Sequence, residues 1–190
     1  MSEQSCDGLS PDQINRITEA MQDDEELALR ILDEQYAAHP YDARLPMVRG
    51  PLLAGRGEYG VAGIDLRDAL ALAPAMHVAR FMLGYLELVT SAPARAVTVW
   101  APLLDLDSDP ALQAFTQGMV LTVQDRLTEA QAAFRTGLAA GDTHPELVRL
   151  VRALEQALGI ALGQQGQAEP VGSEEDAGRH WLLGGYLARH

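Results

Sequence analysis

The 190-residue sequence contains no lysine: all 14 of its cationic side chains are arginine. That removes the phosphate-cradling loop ending in Gly-Lys, and it removes catalysis through a lysine Schiff base. Cysteine occurs once, as Cys6, so neither an internal disulfide framework nor a cysteine-rich metal site can form. Aromatic residues are only 5% of the chain and β-branched runs are short, which leaves Ala, Leu, Glu, Gln and Arg dominant and favours helix. No apolar run approaches the roughly 18 residues that a membrane span needs. The opening "MSEQSCDGLSPDQ" has no apolar core, so neither a secretory signal nor a lipoprotein leader is expected, and the chain reads as cytoplasmic.

Positive charge is also scarce in total. Against 27 carboxylates, 14 arginines leave a net charge of −13. Such a surface repels phosphate backbones and anionic lipid heads, so neither nucleic acid nor membrane is an expected partner. A protein or peptide with an apolar or basic segment is. With 47% hydrophobic residues, the chain can bury the core of one sizeable domain.

What the sequence does have is a period. Gly50, Gly84 and Gly118 stand 34 residues apart, as do Ala62, Ala96 and Ala130, and Leu66, Trp100 and Phe134. One unit earlier stand Ala28, Leu32 and Pro40, the last matching Pro74. A small residue lets the helices of a hairpin approach, a large one four places on fills the adjacent gap, and proline ends the second helix. "RGEYGVA", "LRDALALAP", "DDEELALRILDEQYAAHP" and "VQDRLTEAQAAFRTGLAAGDTHP" repeat this punctuation.

On these residues the chain resembles the tetratricopeptide repeat family. The resemblance implies an all-α fold, a right-handed superhelical array of about three to four helix–turn–helix repeats. The expected repeats are a divergent one at about 11–42 and regular ones at about 43–76, 77–110 and 111–144. Pro46 and Pro51 should delay or kink the first helix of the second unit, and the closing proline of the third unit slips to Pro110. Ser10, Pro11 and Gln13 predict a capped helix start. Leu147, Leu150, Val151, Leu154, Leu158 and Ala161 recur at helical spacing and predict a capping helix over about 145–162, completing a repeat domain over 1–162. A polar linker at 163–179 and an apolar C-terminal tail at 180–190 follow.

Catalytic signals are missing. There is no HExxH, no paired-cysteine spacing, no Gly-x-Ser-x-Gly and no dinucleotide glycine fingerprint. "DLDSDP" starts like a calcium loop, but Pro110 stands where the turn glycine belongs and Thr116 where the bidentate glutamate belongs. His39, His77 and His144 fall in or beside predicted turns, and His180 and His190 fall in the tail. No catalytic residue, metal site or cofactor is therefore expected, and the chain is read as a binding protein and not an enzyme.

In the family the first helix of each hairpin lines a concave groove that holds a partner segment. By register the inward positions are Met47, Pro51, Phe81, Tyr85, Leu88, Leu112, Phe115 and Met119, all apolar and expected to form an uncovered groove. The lysine and asparagine clamp with which some members grip acidic chaperone tails has no counterpart here, because Lys is absent and Asn15 is the only asparagine. A protein-interaction module, chaperone or adaptor is the implied function, with a type III secretion-like translocator chaperone as a narrower version. The competing expectation is a self-assembling subunit, a homo-oligomer in which Trp181, Leu182, Leu183, Tyr186 and Leu187 of the tail dock in its own or a neighbouring groove.

Overall fold

Ser10 opens the first helix. The Gln13 N–H donates to Ser10 Oγ at 3.3 Å, and the Ser10 N–H donates to Gln13 Oε1 at 2.7 Å. This reciprocal cap satisfies two of the orphan donors at a helix start. It begins α1 (Pro11–Asp23), which a single residue, Asp24, joins to α2 (Glu25–Ala38). The following helices are α3 (Arg44–Gly55), α4 (Tyr59–Leu72), α5 (His77–Val89), α6 (Pro93–Trp100), α7 (Pro110–Val123), α8 (Leu127–Ala139) and α9 (Pro145–Ala161). The computed structural model describes residues 9–141 and 144–163, and among them there is no strand. The chain divides into two compact units, Met1–Ala79 and Arg80–His190.

Three hairpins turn in the same way. Gly57, Ser91 and Asp125 adopt left-handed backbone conformations, with φ of 81°, 65° and 59°. In each case the next residue closes the turn onto the helix before it. Glu58, Ala92 and Arg126 donate their N–H groups to the carbonyls of Leu53, Glu87 and Leu121 at 2.9, 2.8 and 3.0 Å. Such a closure satisfies carbonyls that the end of a helix leaves orphaned. All three sets recur every 34 residues, so the backbone has the period that the sequence shows. The α1–α2 connection departs from it: Asp24 is extended, at φ −150°, and its side chain accepts from Leu27 N–H at 3.0 Å.

Inside the hairpins, glycine faces a large side chain. A β-carbon built on Gly84 would lie 2.2 Å from Trp100 Nε1, and one on Gly118 would lie 2.3 Å from Phe134 Cε1. The α3–α4 hairpin is less tight, with 3.0 Å from Gly50 to Leu66 Cγ. The α7–α8 hairpin is locked from both sides, because Gly137 stands 2.4 Å from the Phe115 ring by the same measure. Ala28, Ala62, Ala96 and Ala130 are fully buried, and so are Trp100 and Phe134. The indole of Trp100 also donates to the Phe81 carbonyl at 3.0 Å, so the largest core side chain leaves no unpaired N–H.

Three local expectations are revised. α3 starts at Arg44, ahead of Pro46, which sits in the first turn where no backbone N–H is needed. Pro110 opens α7 and does not close the helix before it. That helix, α6, stops at Trp100 and passes into a 3-10 turn, Ala101–Leu103, because Pro102 cannot donate to the ladder. α9 buries Leu147, Leu150, Val151, Leu154 and Leu158 and exposes Arg149 and Arg152, but Ala161 in its last turn is exposed.

Glycine substitutions separate the tight positions from the open ones. Gly118→Ala forces a methyl into the Phe134 ring and is expected to cost about 2–3 kcal/mol or more. Gly60→Ala, which meets nothing within 4 Å, is expected to stabilise by about 0.5–1 kcal/mol. Urea unfolding monitored by circular dichroism measures both.

Candidate binding surfaces

The charged side chains are largely engaged in holding the scaffold. Arg49 of α3 makes a two-pronged contact with Asp65 of α4, with both N–O distances 2.7 Å, and it reaches Asp33 of α2 at 2.7 Å. Its guanidinium lies 4.8 Å from the centroid of the Tyr36 ring. The Tyr36 hydroxyl donates to Asp68 at 3.2 Å. Asp65 is 1% exposed, so its charge depends on this partner. The paired carboxylates hold Arg49 firmly protonated, chiefly through the hydrogen bonds to Asp65. Desolvation, and then the Asp68 charge, raises the Tyr36 phenol above its ordinary range.

The second unit uses its polar groups in the same way. Buried Glu87 accepts from Arg95 at 2.7 Å, joining α5 to α6. Glu155 of α9 accepts from Gln131 at 3.0 Å and from Arg135 at 2.7 Å, both on α8. Asp109 caps α7 by accepting from Leu112 N–H at 3.0 Å, and its other oxygen pairs with His144, the residue before α9. The last carboxylate of "DLDSDP" is thus committed to a helix start. Among the described residues no three His, Cys, Asp or Glu side chains gather as a metal would require.

The positions expected to line the groove fall into two groups. Met47 and Pro51 on α3 are half-buried. Phe81, Tyr85 and Leu88 on α5, and Leu112, Phe115 and Met119 on α7, are each at most 3% exposed. The expected uncovered groove is corrected at these six. Phe81 packs against Trp100 with ring centroids 6.2 Å apart, and Phe115 fills the notch over Gly137. Both rings serve the hairpin interior. Tyr85 is distinctive among the six, because its hydroxyl is buried with no hydrogen-bond partner, and burial alone raises its pKa well above the ordinary phenol range. The tail positions Trp181, Leu182, Leu183, Tyr186 and Leu187 lie outside the described residues.

Exposed apolar side chains occur elsewhere. Val61 and Ile64 on α4 are 45% and 56% exposed, and Tyr41 before α3 is 83% exposed. Ile14 and Met21 on α1 and Leu27 on α2 are each close to 40% exposed. The sequence signal for them was available, since each stands at the border of its helix's apolar stripe, where one neighbour no longer covers it.

Two substitutions test this account of the polar groups. Arg49→Leu strands the buried Asp65 carboxylate and is expected to cost about 3–5 kcal/mol, with much of that recovered when Asp65→Leu is added. Tyr85→Phe removes a hydroxyl that has nothing to bond, so its effect on stability is expected to lie between neutral and about 1 kcal/mol stabilising. A thermal or urea midpoint that falls on Tyr85→Phe would mean that the hydroxyl is satisfied.

No described helix is long and apolar enough to cross a membrane. No family model and no curated protein matches the sequence. Solved structures do match. One is described as MamA RS-1 ArsTM double mutant, 17% identical, with a TM-score of 0.56 over 93% of this chain and 94% of that one. Another is MamA 41-end from Desulfovibrio magneticus RS-1, 18% identical, with a TM-score of 0.55 over 93% of each chain. At these identities the likeness is one of fold: this chain has the all-helical, TPR-like repeat fold of those chains.

Proposed function

We propose that the chain is a tetratricopeptide-type array of three to four repeats and a cytoplasmic protein-binding module, chaperone or adaptor, without catalytic activity. The observation that carries this reading is the division of labour between side chains. Polar groups hold the hairpins to one another, while apolar groups such as Val61, Ile64, Ile14 and Met21 stand exposed on them. Affinity for a partner would then come mainly from burying such apolar surface, with the net charge of −13 selecting against acidic segments. Met47 and Pro51 are the proposed groove contacts, with the six buried positions backing them.

A second reading, self-assembly, is supported by the composition of residues 180–190, in which Trp181, Leu182, Leu183, Tyr186 and Leu187 are large and apolar.

Calorimetric titration of a basic amphipathic helical peptide, beside a scrambled peptide of equal composition, tests the first reading. The ordered peptide is expected to bind at about micromolar strength with a negative heat-capacity change. Met47→Glu is expected to weaken it about tenfold at unchanged helicity. Equal binding of the two peptides, or indifference to Met47→Glu, overturns the groove. A mass by light scattering that rises with concentration, and no longer does so after Trp181→Ser with Leu183→Ser, would favour self-assembly instead.

A further inference from the structure

The hairpin α1–α2 carries a surface of a particular kind. Between residues 11 and 38 it has eight carboxylates against two arginines, a net charge of −6. Glu19, Glu25, Glu26 and Glu34 are exposed. Ile14 and Met21 stand seven residues apart on one stripe of α1, 39% and 40% exposed. Between them Thr18 turns its hydroxyl back onto the Ile14 carbonyl at 2.9 Å, so no free polar group interrupts the stripe. Leu27, just past the turn, is 38% exposed. Such a surface suits a segment that is apolar and positively charged at once.

The chain contains one such segment. Residues 177–190, "AGRHWLLGGYLARH", hold five large apolar side chains, two arginines and two histidines, and no Asp or Glu. In a chain with nearly twice as many carboxylates as arginines, this stretch is unusual. Thirteen residues, 164–176, connect it to the end of α9's capping turn and reach roughly 45 Å when extended. A tether of that length sets a local concentration of about a millimolar, which favours the segment's own copy over a second one.

We propose that residues 177–190 dock on the exposed acidic and apolar face of the α1–α2 hairpin of the same molecule, through Ile14 and Met21 and the carboxylates beside them. Trp181 and the Leu182–Leu183 pair supply the apolar contact, and Arg179 and Arg189 pair with the glutamates. This seat differs from the groove. It does not rest on the groove reading, and the peptide titration above succeeds or fails without reference to it.

Acrylamide quenching of Trp181 in the full chain tests it, with the signal taken as the difference between the protein and its Trp181→Phe variant. Trp100 is fully buried and contributes equally to both. Trp181 is expected to be quenched at least about threefold less readily than in a free 177–190 peptide, independently of protein concentration from about 1 to 100 µM. Ile14→Ser with Met21→Ser, or about 0.5 M salt, is expected to return it most of the way to the peptide value. Arg179→Ser with Arg189→Ser is expected to do the same while leaving the hairpin untouched. Free-peptide quenching in the intact chain overturns the proposal. So does protection that ignores the hairpin variants and is lost on Met47→Glu, which would put the segment in the groove. Protection that grows with concentration also overturns it, because a second copy would then be the donor.

Discussion

Each regular hairpin depends on a β-carbon that is not there. Where Gly84 faces Trp100 and Gly118 faces Phe134, an aromatic ring lies against the backbone of the neighbouring helix, closer than any other residue would allow. The contact sets how near the two helices come, and that separation gives every other pair on the seam its spacing. The left-handed residues Gly57, Ser91 and Asp125 then fix how the chain enters the return helix. Separation and turn together define the hairpin, and because both recur every 34 residues, one local solution is used three times.

Charge is fitted around this apolar arrangement. A buried Asp65 is tolerable because Arg49 meets both of its oxygens, a geometry that a lysine cannot reproduce. The same guanidinium reaches α2, so one side chain joins three helices. Glu155 plays a similar part between α8 and α9. An acidic chain without lysine therefore keeps its few cations as joints. Little polar chemistry is left over for a ligand, which is why apolar surface carries the functional reading.

The hairpin seams were readable from the sequence because they depend on side-chain size at fixed positions. The columns of Gly50, Gly84 and Gly118 and of Leu66, Trp100 and Phe134 needed only counting. The left-handed turn was not readable, because glycine, serine and aspartate share a backbone angle and no chemistry. The groove was misjudged for a different reason. Phe81 and Phe115 are apolar and stand at the right register, but whether such a ring faces a partner or its own hairpin is decided by what packs on it, and no spacing rule contains that. Pro110 shows the same limit on a smaller scale. A proline near a boundary marks a boundary, and whether it ends one helix or starts the next depends on where its missing N–H does least harm.

The reciprocal locks also bear on where binding can occur. In α7–α8, Gly118 receives Phe134 and Gly137 receives Phe115, so neither ring can swing outward without vacating a cavity worth about 3–5 kcal/mol. A partner would have to supply that energy before gaining anything, which makes α7 a poor place for an adaptable contact. The α3–α4 hairpin is different. Its glycine faces leucine at 3.0 Å, its first helix gives up a backbone bond at Pro51, and Met47 and Pro51 keep part of their surface. Methionine adapts its shape at low cost, and here it stands on the helix whose seam is least tightly filled. The position best able to accommodate a partner therefore lies in the hairpin where the repeat's own packing constraint is most relaxed.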